Sequence, residues 1–507
     1  MKTLPLTIRL HPVDNVVVAR LALQAGTTVS GENLTCVQDI PAAHKIATMA
    51  LAPGQPIIKY GQIIGFASQD VARGDHVHTH NVSMQDFGRE YAIGADVKPV
   101  AVIPESQRAV FKGIAREDGR VATRNYIGVL ATCNCSTTVV RRIADAFGVE
   151  VLKDYPNVDG IVGLGHGTGC AMTPGGIGMG LLRRALHGYV THPNFAAVLL
   201  VGLGCETNQL QEFLDETGLK TGPRLRALNI QDQGAAATVR EGVAWVKALL
   251  AEADRVRRRD VPMSHLVLGV ECGGSDAYSG ISANPALGVA ADLLVAQGGT
   301  VVLSESTEIY GAEHLLTRRA VSREVGKEIV KLIKWWETYT ANLGGEINNN
   351  PQPGNKAGGL TTILEKSLGA VVKAGTTALN AVYRYAEPIT SKGLVFMDTP
   401  GYDPVSVTGI TAGGVNLVCF TTGCGSVFGS KPAPSLKLAT NSALYRRMPE
   451  DMDINCGTIL DGERTVEEMG RQIFDELIHV ASGKKTKSEL FGVGDNEFVP
   501  WQIGVVV

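Results

Sequence analysis

Four apolar runs in the sequence each end on a cysteine: VLATCNCS at 129–136, VGLGHGTGC at 162–170, VGLGCETN at 201–208 and LGVECGGSD at 268–276. An apolar run of that length reads as a buried strand, and in open α/β sheets ligands bind in the crevice outside the carboxyl ends of the strands. The pattern predicts that Cys135, Cys170, Cys205 and Cys272 meet at one rim, with His166 four residues before Cys170. Thiolates with an imidazole suit zinc or iron, and several thiolates can hold an iron–sulfur cluster. A single such cysteine is ordinarily a small buried hydrophobe. Four in the same topological position weigh toward a metal. None belongs to a CxxC pair, and CNC at 133–135 is too tight for a zinc knuckle.

HVHTH at 76–80 is the second signal. On a strand, alternate residues share a face, so His76, His78 and His80 would line up as three candidate metal ligands. The plainer reading is an exposed edge that carries histidines. His11 and Asp14 in HPVDN join the set only if the fold brings them there. Two cations near turns are candidates to hold a substrate carboxylate: Arg124, with Asn125 beside it, and Lys356 in PGNKAGG. Arginine suits bidentate capture, while lysine is a point charge, or a base once desolvated. A solvated surface charge is the alternative for both. Ser275, Asp276 and Ser279 lie just after Cys272 in ECGGSDAYSG, polar enough for a site.

These residues need a scaffold, and the chain supplies a consistent pattern for one. Over 1–93, short β-branched alternation between Gly and Pro turns predicts a small β-domain, and the polar stretch 94–110 reads as a linker. From Tyr126, apolar strands at 126–132, 159–164, 195–202, 265–271 and 299–304 alternate with helix-length segments, as in a parallel sheet covered on both faces. Val321, Val325, Ile329, Leu332, Ile333 and Trp336 recur at threes and fours, predicting a helix over 318–341. Strands at 393–398, 415–421 and 435–439 and a helix near 465–482 suggest a further α/β unit. The expected division is therefore an α/β catalytic domain at 111–390 and a C-terminal α/β domain at 391–507. That fits a length beyond the roughly 250–300 residues at which single cores stop growing.

Several function classes are disfavoured. A net charge of −3, from 47 basic and 50 acidic residues without long runs of either sign, argues against nucleic acid or an anionic membrane as partner. The apolar stretches are strand-sized and the first residues lack a signal-peptide core, so a cytoplasmic protein with reduced thiols is expected. GLGHGTG and GGIGMG do not fit G-x-G-x-x-G in register, which counts against a dinucleotide-dependent oxidoreductase; a non-catalytic metal-binding protein stays open. No phosphate loop or serine elbow is present.

HPVDNVVVA, GDHVHTHNV, GLGCE, ECGGSDAYSGISANPALG, PGNKAGG and SLKLATNS together resemble the altronate/galactarate dehydratase family over essentially the whole chain. The resemblance implies a SAF-type N-terminal β-domain on a large Rossmann-like body, and elimination of water from an aldonate or aldarate. It implies ferrous iron or a similar divalent metal such as Mn(2+), and a sugar acid as the small-molecule partner; the strand-end thiols keep an iron–sulfur cluster as an alternative, and a homodimer is expected. On it, Cys135, Cys170, Cys205, Cys272 and the histidine triple are metal ligands. His166, Lys356 and Asp276 are catalytic candidates, and Arg124, Asn125, Ser275, Ser279 and Lys356 hold substrate. One position departs: where relatives read TTGRG, this chain has TTGCG, with Cys424 in place of the arginine.

Overall fold

The computed structural model describes residues 4–505. The N-terminal region is β-rich, as its turn-punctuated alternation predicts. Its main sheet has four antiparallel strands in the order β1 (Thr7–Ile8), β2 (Val16–Ala19), β3 (Lys45–Ala47), β4 (His76–Val77). All four residues of β2 are buried because both faces are covered. Val17 and Ala19 pack inside the small domain, while Val18 packs with Ala277, Tyr278 and Leu360 of the body. Residues 94–103 then run along the body, with Gly94 N donating to Thr317 O and Ile103 N to Ala296 O.

The body contains two parallel sheets. The first is four-stranded: β5 (Tyr126–Ala131), β6 (Gly160–Leu164), β7 (Phe195–Gly202) and β8 (Leu225–Asn229), in the spatial order β6-β5-β7-β8. Helix α1 (Thr137–Ala144) and the helix Ala235–Ala253 cover one face; α2 (Ile177–Val190) and α3 (Leu210–Thr217) cover the other. Burial on both faces explains why β7 is apolar from end to end. The second sheet has seven strands: β9 (Val267–Cys272), β10 (Thr300–Leu303), β11 (Leu379–Tyr383), β12 (Gly393–Met397), β13 (Leu417–Thr422), β14 (Ser435–Ala439) and β15 (Ile454–Asn455). Their order is β11-β12-β10-β9-β13-β14-β15.

The expected boundary at 390/391 falls inside this second sheet, because β11 and β12 pair across it. Strand–helix alternation continues through both sheets, so periodicity carries no mark of where one ends. The actual break is the segment Arg259–Pro262, which leaves the parallel system to pair antiparallel with Val110–Ala115. The long helix α4 runs Arg323–Asn342 and starts where Ser322 accepts a hydrogen bond from Val325 N. Ile329, Ile333 and Trp336 form its buried face, whereas Val321 lies before it and is exposed. No helix among the described residues is long and apolar enough to cross a membrane.

Candidate functional site at the seven-stranded sheet

In both sheets the strand order reverses direction at one place, and such switch points open the crevice where ligands bind. In the seven-stranded sheet the reversal lies between β9 and β13. The two loops that diverge there are tied together by Gly423 N and Cys424 N, which donate to Gly274 O at 3.0 and 2.8 Å. Asp276 anchors the first loop from a buried position. Its carboxylate accepts from Ser279 Oγ at 2.9 Å, Thr440 Oγ1 at 3.0 Å and Asn441 Nδ2 at 3.1 Å. Burial pushes this carboxyl up, against the pull of those donors. A Cβ on Gly423 would lie 2.1 Å from Asp276 Cγ, so only glycine lets the end of β13 approach this closely. Ser275 Oγ is buried without a hydrogen-bond partner among the described residues.

The short helix α5 (Pro353–Ala357) lies across this loop, with Asn355 Nδ2 donating to Ser275 O at 2.8 Å. It carries Lys356, half-buried, whose ammonium makes no protein hydrogen bond among the described residues. Cys424 is at the same rim, its Sγ 3.6 Å from Gly354 O, and Arg447 donates to the Cys424 carbonyl at 2.9 Å.

The N-terminal domain closes the crevice. Its Lys45 donates to Gly359 O at 2.7 Å and to Glu365 at 2.8 Å, and Lys59 donates to the other oxygen of Glu365 at 2.8 Å. All three charged groups are buried. Burial would raise the Glu365 carboxyl, but the two ammonium groups overcome it and hold it well below the usual carboxylate range.

Three imidazoles come with that domain: His44, His76 and His78, one nitrogen of each lying within 4.8 Å of the others. The β3–β4 ladder sets Lys45 opposite Val77, so His44 and His78 face each other across it. His44 Nε2 lies 3.1 Å from Ala357 O and His44 Nδ1 2.9 Å from His76 Nε2. A carbonyl on one ring nitrogen fixes the tautomer and turns the other lone pair outward, the usual arrangement of a ligating histidine. Burial, then neighbouring imidazoles and Lys45, push His76 down to about 4 and His78 to about 3, so both are neutral near pH 7. His78 Nδ1 is buried with no partner among the described residues. Neutral and close, with His78 Nδ1 unpartnered and the His44 Nδ1–His76 Nε2 contact replaceable by an ion, these donors fit a divalent metal.

This set differs from the expected triple. β4 ends at Val77 and the chain turns at once, with Asn81 N donating to His78 O. His80 sits exposed on that turn, and His44 takes the third place. His11 and Asp14 do not join; Asp14 caps a neighbouring turn by accepting from Gly61 N at 2.8 Å. His44 was illegible because its partners lie across a ladder rather than along a strand.

Cys272 ends β9 but points into a second buried cluster. Its Sγ lies 2.8 Å from Lys373 Nζ, which also reaches Glu305 at 2.8 Å; Lys366 pairs with Glu308 at 2.7 Å. Cys272, Glu305 and Glu308 could also hold an ion by spacing, but two ammonium groups already occupy the charge-compensating positions. Burial, then Glu305, raises the Cys272 thiol, and Asp403 nearby is pushed up to about 7 by burial and by Glu305 and Glu308.

The remaining expected residues lie elsewhere. Cys135, Cys170 and Cys205 end strands of the four-stranded sheet, so Cys272 does not join them. His166 is buried with Nε2 3.0 Å from Ala131 O and Nδ1 3.0 Å from Thr168 Oγ1; both nitrogens are engaged, which removes it as a free base. Arg124 holds Glu489 in a buried bidentate pair at 2.6 and 2.8 Å and donates to Thr123, Val480 and Lys484 carbonyls. Asn125 donates to Asn157 O and Ala253 O. Both tie elements together and have nothing left for a substrate.

Comparison with known proteins matches this division of the chain. Residues 5–85 match the altronate/galactarate dehydratase SAF domain, 113–254 the second domain of D-galactarate dehydratase/altronate hydrolase, and 263–506 the C-terminal region of D-galactarate/altronate dehydratase. The chain belongs to the altronate/galactarate dehydratase family, a family of hydro-lyases. It is 36% identical to altronate dehydratase of Bacillus subtilis over 95% of this chain and 96% of that one. It is also 36% identical to the L-threo-forming galactarate dehydratase of Escherichia coli over 96% and 95%. The β subunit of (2R)-sulfolactate sulfo-lyase from Chromohalobacter salexigens is 31% identical over 78% of this chain and 98% of the relative.

Proposed function

We propose that the protein is a divalent-metal-dependent dehydratase that converts a six-carbon aldonate, D-altronate first, to 2-keto-3-deoxygluconate. One observation carries this reading: three neutral imidazoles meet at α5, where His44 contacts the Ala357 carbonyl next to Lys356 and Asn355 holds the Ser275 loop. His44, His76 and His78 would hold ferrous iron, with manganese as the alternative. Such an ion supplies Lewis-acid stabilisation of the charge that develops on carboxylate and leaving hydroxyl.

The chain's own groups do the rest. Elimination removes a weakly acidic proton from C2 and expels hydroxide from C3. Lys356 Nζ is the group that takes the C2 proton, since His166 is strapped at both nitrogens. Ser275 Oγ, unpartnered, is free to donate to a substrate oxygen. Asp276 is a positioning residue: its donors lock the loop that carries Ser275 and Ser279. The enol product then tautomerises to the 2-keto-3-deoxy acid.

An aldarate such as galactarate carries a second carboxylate and needs a second cationic anchor. Cys424 stands where the family resemblance implies an arginine, and Arg447 reaches only its carbonyl, which favours an aldonate. Galactarate is the alternative substrate. Comparing kcat/KM for altronate, galactarate and shorter aldonates tests the assignment. A tenfold preference for galactarate, about 1.4 kcal/mol in transition-state binding, overturns it. Nine free cysteines fit a reducing cytosol, and a homodimer is the proposed assembly, which sedimentation of the full chain tests.

A further inference from the structure

The four-stranded sheet has a switch point of its own, between β5 and β7. The chain leaves β5 for α1 on one face and leaves β7 for α3 on the other. Cys135 follows β5, Cys205 follows β7, and Cys170 follows the flanking β6. The three loops interlock. Asn134 N donates to Thr168 O at 2.8 Å, Asn208 N to Gly169 O at 2.9 Å and Asn208 Nδ2 to Thr132 O at 3.0 Å. Gly169, at φ +96°, would place a Cβ 2.3 Å from Thr132 O, so glycine is needed for the Cys170 loop to lie against the end of β5.

These thiols do not behave as buried hydrophobes. Cys36, Cys133, Cys419 and Cys456 are buried, whereas Cys135 and Cys205 are exposed and Cys170 half-buried. Free cysteine is among the most buried residue types, so a surface rim carrying three calls for a ligand. Two of the sulfurs are already met by donors: Gln231 Nε2 lies 3.1 Å from Cys205 Sγ, and the Thr207 backbone N–H is directed at Cys170, which also faces Cys135.

The spacing decides what the thiols would bind. A tetrahedral zinc with bonds of about 2.3 Å sets its sulfurs about 3.8 Å apart. Among the described residues these three sulfurs do not all lie within 4.8 Å of one another, so one tetrahedral ion would have to draw them together. A larger inorganic core spans a wider set of thiols. We infer that Cys135, Cys170 and Cys205 hold an iron–sulfur cluster at this switch point, separate from the histidine-lined crevice. Three thiolates leave one iron of a cubane cluster without a cysteine, open to an oxygen ligand from solvent or a small anion.

The test uses the full chain purified anaerobically and reconstituted with ferrous iron and sulfide. The expected result is about four acid-labile sulfides per chain, as in [4Fe–4S], with the broad visible absorption of a cluster. Cys170→Ser and the Cys135→Ser/Cys205→Ser pair should drop sulfide to background with an unchanged circular dichroism spectrum. His78→Ala should keep the full sulfide content, which separates this site from the proposed dehydratase centre whatever happens to turnover. Absence of sulfide from the reconstituted wild type overturns the inference, even if the variants fail to fold. So does stoichiometric zinc without sulfide, or wild-type sulfide in a folded triple-serine variant.

Discussion

The two switch points begin from the same local pattern, an apolar parallel strand ending on a cysteine, and finish in opposite environments. At the seven-stranded sheet the rim is roofed. Helix α6 (Ile363–Val371) lies over it with Glu365 and Lys366, and the N-terminal domain seals it through Lys45 and Lys59. Cys272 is consequently buried among ions. At the four-stranded sheet none of the described residues roofs Cys135 and Cys205, which are exposed. A cysteine's chemistry is set by what covers the strand end, not by the strand.

The largest test of that contrast removes the seal. Glu365→Ala leaves two buried ammonium groups without a counter-ion and should destabilise the protein by about 3–5 kcal/mol in urea unfolding. A loss below about 1 kcal/mol would show that apolar packing around Val18 holds the roof instead. The same ion pair has a pH signature. The Glu365 carboxyl sits below its unfolded value of 4.5, so its contribution is fully present above that pH and fades as pH falls beneath it. The opening free energy of β3 and β4, from hydrogen-exchange rates divided by the intrinsic rate at each pH, should fall more steeply between pH 6 and about 3 in wild type than in Glu365→Ala.

A second comparison exchanges like for like. Lys373→Met strips the cation from Cys272 and Glu305 and should cost about 3 kcal/mol, since a buried charge loses its partner. Cys135→Ala in metal-free protein should stay within about 0.5 kcal/mol, as for other surface changes. In that same metal-free protein, a thiol reagent should label Cys135 and Cys205 in the folded state and Cys272 only after unfolding. Equal labelling of all three would erase the distinction.

The smallest effects separate the histidines. His44→Ala and His78→Ala should each weaken metal retention and kcat/KM at least tenfold, about 1.4 kcal/mol. His80→Ala, on its exposed turn, should change both by less than about twofold, roughly 0.4 kcal/mol. If His80→Ala proves as damaging as His78→Ala, the three imidazoles of the crevice are wrongly chosen.

Much of the scaffold was legible. The runs 126–132, 195–202 and 435–439 became strands within a residue of their ends, because burial on both faces writes itself as continuous apolar sequence. The polar loop 275–279 and Lys356 were singled out separately, the first by its density of small polar residues after a strand and the second as a cation near a turn; the fold ties the two segments together through Asn355. What failed depended on pairing. Arg124 looked like a free cation until Glu489, distant in sequence, closed on it inside the fold.

Local sequence determined which segments are strands, where each chain exit lies and which side chains arrive there, since those follow from nearest-neighbour burial and turn chemistry. It could not say which strands share a sheet. Grouping Cys272 apart from the other three cysteines, and His44 with His76 and His78, was decided by tertiary structure alone. Strand register and domain docking bring together residues far apart in the chain, and no local pattern encodes those contacts.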